Sequence, residues 1–453
     1  MSEHLENPKP ADPKPTGPKP TGLEARSAAL DILERIRGGQ TLDEALTECR
    51  SFEVLTGSDR GFARALATMV LRRRGSLDHI LGAYIDRPLP KKAARVMDIL
   101  RLASAQLVFM GTPAHAAAST AVSLAGERRE TAGYGKLINA IARKIAKTGA
   151  AAAEKLPARA DTPAWLWRSW ERNFGPQKAP AIAAAHTQEP PLDIILKDPA
   201  ETSTWSETLG AEVLFDGVLR LQRAGDVTAL PGFNEGAWWV QDVAASLPAL
   251  LLGDVTNKTV YDLCAAPGGK TLQLASRGAN VTAVDISEPR LARVSENLER
   301  TKLNAEIMEQ DVLRWTPKEK ADAVLLDAPC SATGTVRRHP DIPWTKTETD
   351  VKALTSLQAR MIDRALTFVK PGGVLVYCVC SLQSEEGEAQ AKAALERHSS
   401  LSRLPITKDE IGGLGEAITR DGDLRTLPSM LAGKDGASGG MDGFFAVRFK
   451  LND

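Results

Sequence analysis

The sequence predicts a multidomain protein: an all-α block near the N-terminus, a small α+β segment behind it, and an α/β domain on a doubly wound, mostly parallel sheet. Three observations predict this. From Leu23 to about residue 150, apolar residues recur at three- and four-residue spacings, the period of amphipathic helices. From Val260 onward, short apolar runs alternate with helical stretches, as buried parallel strands and their crossovers do. The 453 residues, 43% hydrophobic and 25% charged, suffice for two or three domains with a sizeable core.

Residues 1–22 repeat Pro-Lys-Pro in "NPKPADPKPTGPKPTG" with almost nothing apolar to bury, which predicts a disordered or polyproline tail. Residues 23–150 form the helical domain, with helices in "SAALDILERI", "GFARALATMVLRRR", "AARVMDILRLASAQLVFM" and "YGKLINAIARKIAK". Ser58 is expected to cap one of them, and Gly75 or Gly111 to stop one. The chain has zero net charge, yet residues 23–150 hold 20 Lys and Arg against 13 Asp and Glu, while residues 151–453 hold 34 against 41. A basic helical block suits a polyanion. A merely solvated basic face is the plainer alternative.

Residues 151–240 are expected to hold a linker and a small α+β subdomain, the linker being an Ala-, Lys- and Pro-rich stretch at roughly 148–163. "TPAWLWRSWERNFG" reads as a short helix and "PPLDIILK" as a strand. In residues 241–453, "TVYDLC", "NVTAVD", "DAVLLD" and "GGVLVYCVC" read as strands, with helices in "KTLQLASR" and "EPRLARVSENLERT". In such sheets, ligands sit beyond the carboxyl ends of the strands.

Those ends carry the chemistry. "DLCAAPGGKT" runs from a strand through a tight turn into a helix, where Gly268 and Gly269 let backbone approach a ligand and the helix offers unsatisfied N–H groups. It matches neither dinucleotide nor P-loop spacing, which favours a carboxylate-bearing ligand over a phosphate, although any crossover can need such a turn. Asp285 ends the next strand, where a carboxylate binds ribose hydroxyls, and Asp311 falls near the end of a third, where it could accept from an adenine amino group. Singly, each Asp reads equally well as a cap or a solvated turn; together they imply a nucleoside with a small charged tail. The remaining two ends bear Asp327, Pro329 and Cys330, and Cys380 in "YCVCS". Adjacent strands would bring both thiols to one ligand, but from the residues alone that stretch is still a metal clip, a redox pair, core or a nucleophile. Arg337, Arg338 and His339 follow Cys330 on a loop that suits phosphate contact, or is simply solvated.

Several classes are disfavoured. Five scattered cysteines and an N-terminus without an apolar signal core point to a reducing, cytoplasmic setting. No stretch approaches the roughly 18 apolar residues of a membrane helix, and the six histidines lack ligand spacing, so no metal is expected.

"DLCAAPGGKT", "VDIS", "LLDAPCSATGT", "RRHPDIPW", "YCVCSLQSEE" and the terminal "MDGFFAVRF" resemble successive motifs of the Nop2/Sun-type RNA cytosine-C5 methyltransferases, over most of residues 230–453. "SDRGFARALATMVLRRRGSLDHIL" and "RVMDILRLASAQLVFM" are similar to the RNA-binding NusB domain. The combination resembles the bacterial Sun branch, acting on small-subunit ribosomal RNA. The resemblance implies a NusB-like domain followed by a Rossmann-like class I methyltransferase domain, S-adenosylmethionine as cofactor, ribosomal RNA as partner, and a monomer. It implies Cys380 as the nucleophile that adds to C6 of cytosine, Cys330 as the thiol that helps release the adduct, and Asp327 as a contact to the base edge or the cofactor. Cys264, Ala265, Ala266, Pro267, Gly268, Gly269, Lys270, Asp285, Asp311 and Asp327 would hold the cofactor. The sequence departs from the pattern at Val379, where Thr is frequent, and adds Cys378. Side chains alternate along a strand, so Cys378 shares the face of Cys380 one step deeper and reads as core. A transfer-RNA or other RNA substrate, a non-catalytic RNA-binding assembly factor, an amino-group methyltransferase and a metal or redox protein are the competing readings.

Overall fold

The computed structural model describes residues 22–222, 225–433 and 439–453. The proline-rich tail therefore lies outside the described residues except for Gly22. The chain divides into two compact units, Met1–Leu156 and Pro157–Asp453.

The first unit is helical throughout its described part, with Leu30, Leu66, Leu77, Leu81, Val96 and Ile99 fully buried in its core. Its last helix, Gly135–Glu154, runs through the stretch expected to begin the linker. Ala150–Ala153 explain the extension, since alanine is the strongest helix former. Ser58 does not cap: the helix Gly57–Arg72 has Thr56 at its N-cap, without a side-chain bond, and Ser58 lies in the first turn. Gly75 lies within the next helix, Arg74–Gly82, whereas Gly111, with a left-handed φ of 63°, does follow the helix Ala94–Val108.

In the second unit a 3-10 turn, Ala158–Asp161, precedes Ala164–His186, whose first part is the short helix expected in "TPAWLWRSWERNFG". It breaks at Gly175 (φ 82°), and Pro176 then starts a second helical stretch, where proline's missing N–H costs nothing. Four strands, β1 (Leu192–Leu196), β2 (Glu212–Phe215), β3 (Val218–Leu221) and β4 (Trp238–Val240), form an antiparallel sheet in the order β2-β3-β1-β4. This small sheet belongs to the same compact unit as the large one.

The large sheet contains β5 (Thr259–Leu263), β6 (Asn280–Asp285), β7 (Glu306–Glu309), β8 (Ala321–Asp327), β9 (Val369–Val379), β10 (Leu401–Arg403), β11 (Leu424–Arg425) and β12 (Phe445–Leu451). Its order is β10-β12-β9-β8-β5-β6-β7, with β11 beside β12. Strands β5 to β9 pair in parallel, and β12 lies antiparallel to β9. The apolar runs of β5, β6, β8 and β9 are buried, as a sheet covered on both faces requires. The order reverses between β5 and β8, and a crevice opens beyond the carboxyl ends at such a switch point.

Candidate active site

Strand β5 ends because Cys264 turns into left-handed backbone (φ 62°), and Gly268 (φ 104°) then leads into the helix Gly269–Ser276. A Cβ on Gly268 would come within 3.2 Å of Val294, and its left-handed φ also favours glycine; one on Gly269 would press within 3.0 Å of the Gln241 side chain, which would have to shift slightly. Asp285 anchors this turn from the end of β6. Its Oδ2 accepts the Ala266 N–H at 3.2 Å and its Oδ1 the Ser287 N–H at 3.1 Å. Arg290 closes the arrangement with a 2.5 Å hydrogen bond to the Ala266 carbonyl and a 3.5 Å ion pair to Asp285. Asp311 stands two residues past β7, its Oδ1 accepting the Leu313 N–H at 3.0 Å.

A cavity of about 400 Å³ has Cys264, Asp285 and Asp311 on its walls together with Asp327, Cys330 and Cys380. Ala266 also lines it; Ala265, Pro267, Gly268 and Gly269 complete the turn, and Lys270 lies buried beside it. The Lys270 ammonium reaches across to Asp327 Oδ2 at 2.7 Å and stands 5.2 Å from the Phe444 ring centre. Burial works against that positive charge, but Asp327 outweighs it and holds the ammonium more firmly than in an ordinary lysine.

Pairing of β8 with β9 sets Asp327 opposite Cys378, which brings the two loops beyond them together. Cys330 Sγ and Cys380 Sγ lie 3.4 Å apart. The Cys330 thiol is pushed well above its ordinary range, first by this hydrogen bond and then by burial. Cys378 is fully buried one step below, but its Sγ also points at Asp327 Oδ1, 3.5 Å away.

The loop after Cys330 departs from the expectation of phosphate contact. Arg337 is only 1% exposed, and its guanidinium lies 3.3 Å from Asp242 and 3.5 Å from Asp442. Arg338 pairs with the same carboxylates at 2.5 and 3.2 Å. His339 is half-buried, its N–H donating to the Thr335 carbonyl at 2.9 Å. Two carboxylates remote in sequence neutralise both arginines and hold them inside the protein. Arg337 and Arg338 thus serve as internal struts rather than lying free for the expected phosphate contact, while His339 stays at the partly exposed part of the loop.

Sequence reasoning also missed Asp262 and Glu386, both fully buried beneath the site. Asp262 Oδ2 accepts from Thr271 Oγ1 at 2.6 Å, bracing the first turn of the Gly269–Ser276 helix. A signal for Glu386 was available: each of the two cysteines is followed by a serine.

The cavity fits S-adenosylmethionine on its own chemistry. Asp285 and Asp311 supply acceptors for hydroxyl and amino groups, and the Cβ-free turn admits close backbone approach. A mixed sheet with this strand order and a cofactor crevice at its switch point defines the class, S-adenosylmethionine-dependent methyltransferases. The family model for the 16S rRNA methyltransferases RsmB/F matches residues 249–450, and that for the NusB family matches residues 23–147. Ribosomal RNA small subunit methyltransferase B of Shigella flexneri serotype 5b is 33% identical over 422 residues, 88% of this chain and 96% of that protein. The Cronobacter sakazakii protein of the same name is 31% identical over 94% of this chain and 98% of its own length. Among solved structures, a methyltransferase homologue from Pyrococcus horikoshii is 26% identical, with a TM-score of 0.51, over 62% of this chain and 93% of its own. The chain belongs to the RsmB/F family of 16S rRNA methyltransferases, with a NusB-family domain ahead of the catalytic one.

Proposed function

We propose that this methyltransferase modifies C5 of a cytosine in small-subunit ribosomal RNA through a covalent adduct on Cys380. The observation that carries the reading is the 3.4 Å approach of Cys330 and Cys380 over a cavity shared with Asp285 and Asp311. The names of the relatives, ribosomal RNA small subunit methyltransferases, support the substrate.

C5 of cytosine is a weak nucleophile, and a base inside a duplex cannot reach the cavity. The target must first leave its stack. Cys380 Sγ then adds to C6, and the ring electrons move toward N3 and C5, leaving C5 enamine-like; splitting one hard step into two in this way is what covalent catalysis achieves. When bound, S-adenosylmethionine supplies an electrophilic methyl group. The Cys380 thiol proton is taken up at N3, which neutralises the charge developing there, and Asp327, held by Lys270, accepts a hydrogen bond from the N4 amino group of the base. Elimination then passes the C5 proton to water as the C6–S bond breaks, which restores the C5–C6 double bond and frees the Cys380 sulfur. Cys330, 3.4 Å from Cys380, stabilises the departing sulfur by an S–H hydrogen bond.

Transfer of labelled methyl to ribosomal RNA tests this. Cys380→Ala is expected to abolish transfer while retaining cofactor binding. Cys330→Ala is expected to accumulate a denaturation-resistant protein–RNA band. Near-normal turnover by Cys380→Ala would sink the nucleophile assignment, and absence of the band would sink the release role.

A further inference from the structure

We infer that Glu386 is the positioning residue for both thiols: a single buried carboxylate ties the loop after β8 to the loop after β9 and so fixes Cys330 against Cys380. The inference rests on the covalent reading above and assigns that reaction a residue outside the cavity.

Glu386 Oε1 accepts the backbone N–H of Ser331 at 2.9 Å and Gln358 Nε2 at 3.1 Å. Its Oε2 accepts the hydroxyls of Ser331 and Ser381, each at 2.5 Å. Ser331 directly follows Cys330, and Ser381 directly follows Cys380. Gln358 Nε2 also donates to the Pro329 carbonyl at 2.9 Å, so both neighbours of Cys330 are gripped by one Glu–Gln pair. The clamp is itself anchored, because the Tyr377 hydroxyl on β9 donates to the Glu386 carbonyl at 2.6 Å.

The chemistry of the clamp argues for direction rather than filling. Glu386 is fully buried, and no Lys or Arg among the described residues pairs with it. Burying a carboxylate without a cation is expensive unless hydrogen bonds replace its water. Here four donors do so, and three of them come from the two serines beside the thiols. An apolar side chain would fill the same space at lower cost but could not hold two loops in register. A neighbouring acid, Glu385, lacks this role: it is exposed and pairs with Arg172 at 3.3 Å.

The test compares Glu386→Ala and Glu386→Gln in the full chain, measuring cofactor Kd, RNA KM, kcat and adduct formation. A displacement of about 1 Å at reacting atoms costs roughly 100-fold in rate, so Glu386→Ala should lose about that in kcat while cofactor Kd stays within about twofold and RNA KM within about threefold. Glu386→Gln keeps one acceptor oxygen, and the serine hydroxyls can turn to accept from its amide, so it should regain at least about tenfold of the lost rate. The proposal is overturned by a normal kcat in Glu386→Ala, by cofactor affinity falling in parallel with kcat, or by a Glu386→Gln variant as slow as the alanine one. If Glu386→Ala does not accumulate folded, Ser381→Ala removes one strut only and must still lower kcat selectively. Failure of the covalent reading is separable, since it would show as no adduct in Cys330→Ala with Glu386 intact.

Discussion

Asp262 illustrates what one buried residue beneath a ligand-binding turn costs. It is fully buried, Thr271 satisfies its Oδ2, and its Oδ1 finds no hydrogen-bond partner among the described residues. Burial pushes its carboxyl up to about 7, against about 3.9 in an unfolded chain. The folded state therefore binds this proton more tightly than the unfolded one. The resulting stabilisation is present below about pH 4 and is lost as pH rises through about 7, on the order of 4 kcal/mol across the window. Asp423, raised to about 7 chiefly by burial, acts in the same direction. Asp262→Asn keeps an acceptor for Thr271 without a titrating proton. Its stability relative to wild type should thus be higher at pH 8 than at pH 5 in urea unfolding; a difference independent of pH would refute the assignment.

At the scale of elements, the loop that follows β8 buries Val336 and is held beside it by charge. Asp242, the N-cap of the helix Val243–Leu250, accepts the Ala244 and Asp442 N–H groups while pairing with Arg337 and Arg338. Gly334 meets the "MDGFF" segment directly: its carbonyl accepts the Gly443 N–H at 2.8 Å, and its own N–H donates to the Cys380 carbonyl at 3.0 Å. Removing Arg337 leaves two buried carboxylates, Asp242 and Asp442, sharing the single guanidinium of Arg338, so Arg337→Ala is expected to cost about 3 kcal/mol in urea unfolding. Arg337→Lys should recover only part of it, because an ammonium cannot fork between two carboxylates. A loss below about 1 kcal/mol, the range of surface ion pairs, would mean the loop stands without the network. The same elements show what was legible beforehand. Strands β5, β6, β8 and β9 were readable because each is a short apolar run bounded by turn residues, and their ends pointed to Asp285, Asp327, Cys330 and Cys380. The fate of the arginines was not readable, since Asp242 and Asp442 lie 95 and 105 residues from Arg337 and local sequence carries no trace of such partners. The small antiparallel sheet escaped element by element for a related reason: β2 and β4 have three or four residues each, too few for a period to emerge.

For the whole molecule, charge separates along the chain as it does in the sequence, with an excess of +7 in residues 23–150 and −7 in residues 151–453. Part of the basic excess is spent internally. Arg95 pairs with Glu34 at 2.8 Å, Arg101 with Asp78 at 2.7 Å, and Arg37 with Asp98 at 2.5 Å. The helix Gly135–Glu154 is different: Lys136, Arg143, Lys144 and Lys147 are all exposed on it, and its first acidic residue is Glu154. Its other face buries Ile138, Ile141, Ala142 and Ile145, so the cations are displayed by a helix whose position the core fixes. A phosphate backbone engaging this helix releases counterions, and each lost contact lowers the slope of log affinity against log salt by roughly 0.7–0.9. Changing all four cations to Gln in the full chain should therefore reduce the salt slope for ribosomal RNA binding by up to about 3 while leaving the apolar face and the cofactor site untouched. Cofactor affinity measured on the same preparation serves as the control. An unchanged salt slope with intact cofactor binding would locate the polyanion contact on another part of the chain and leave this helix a solvated face.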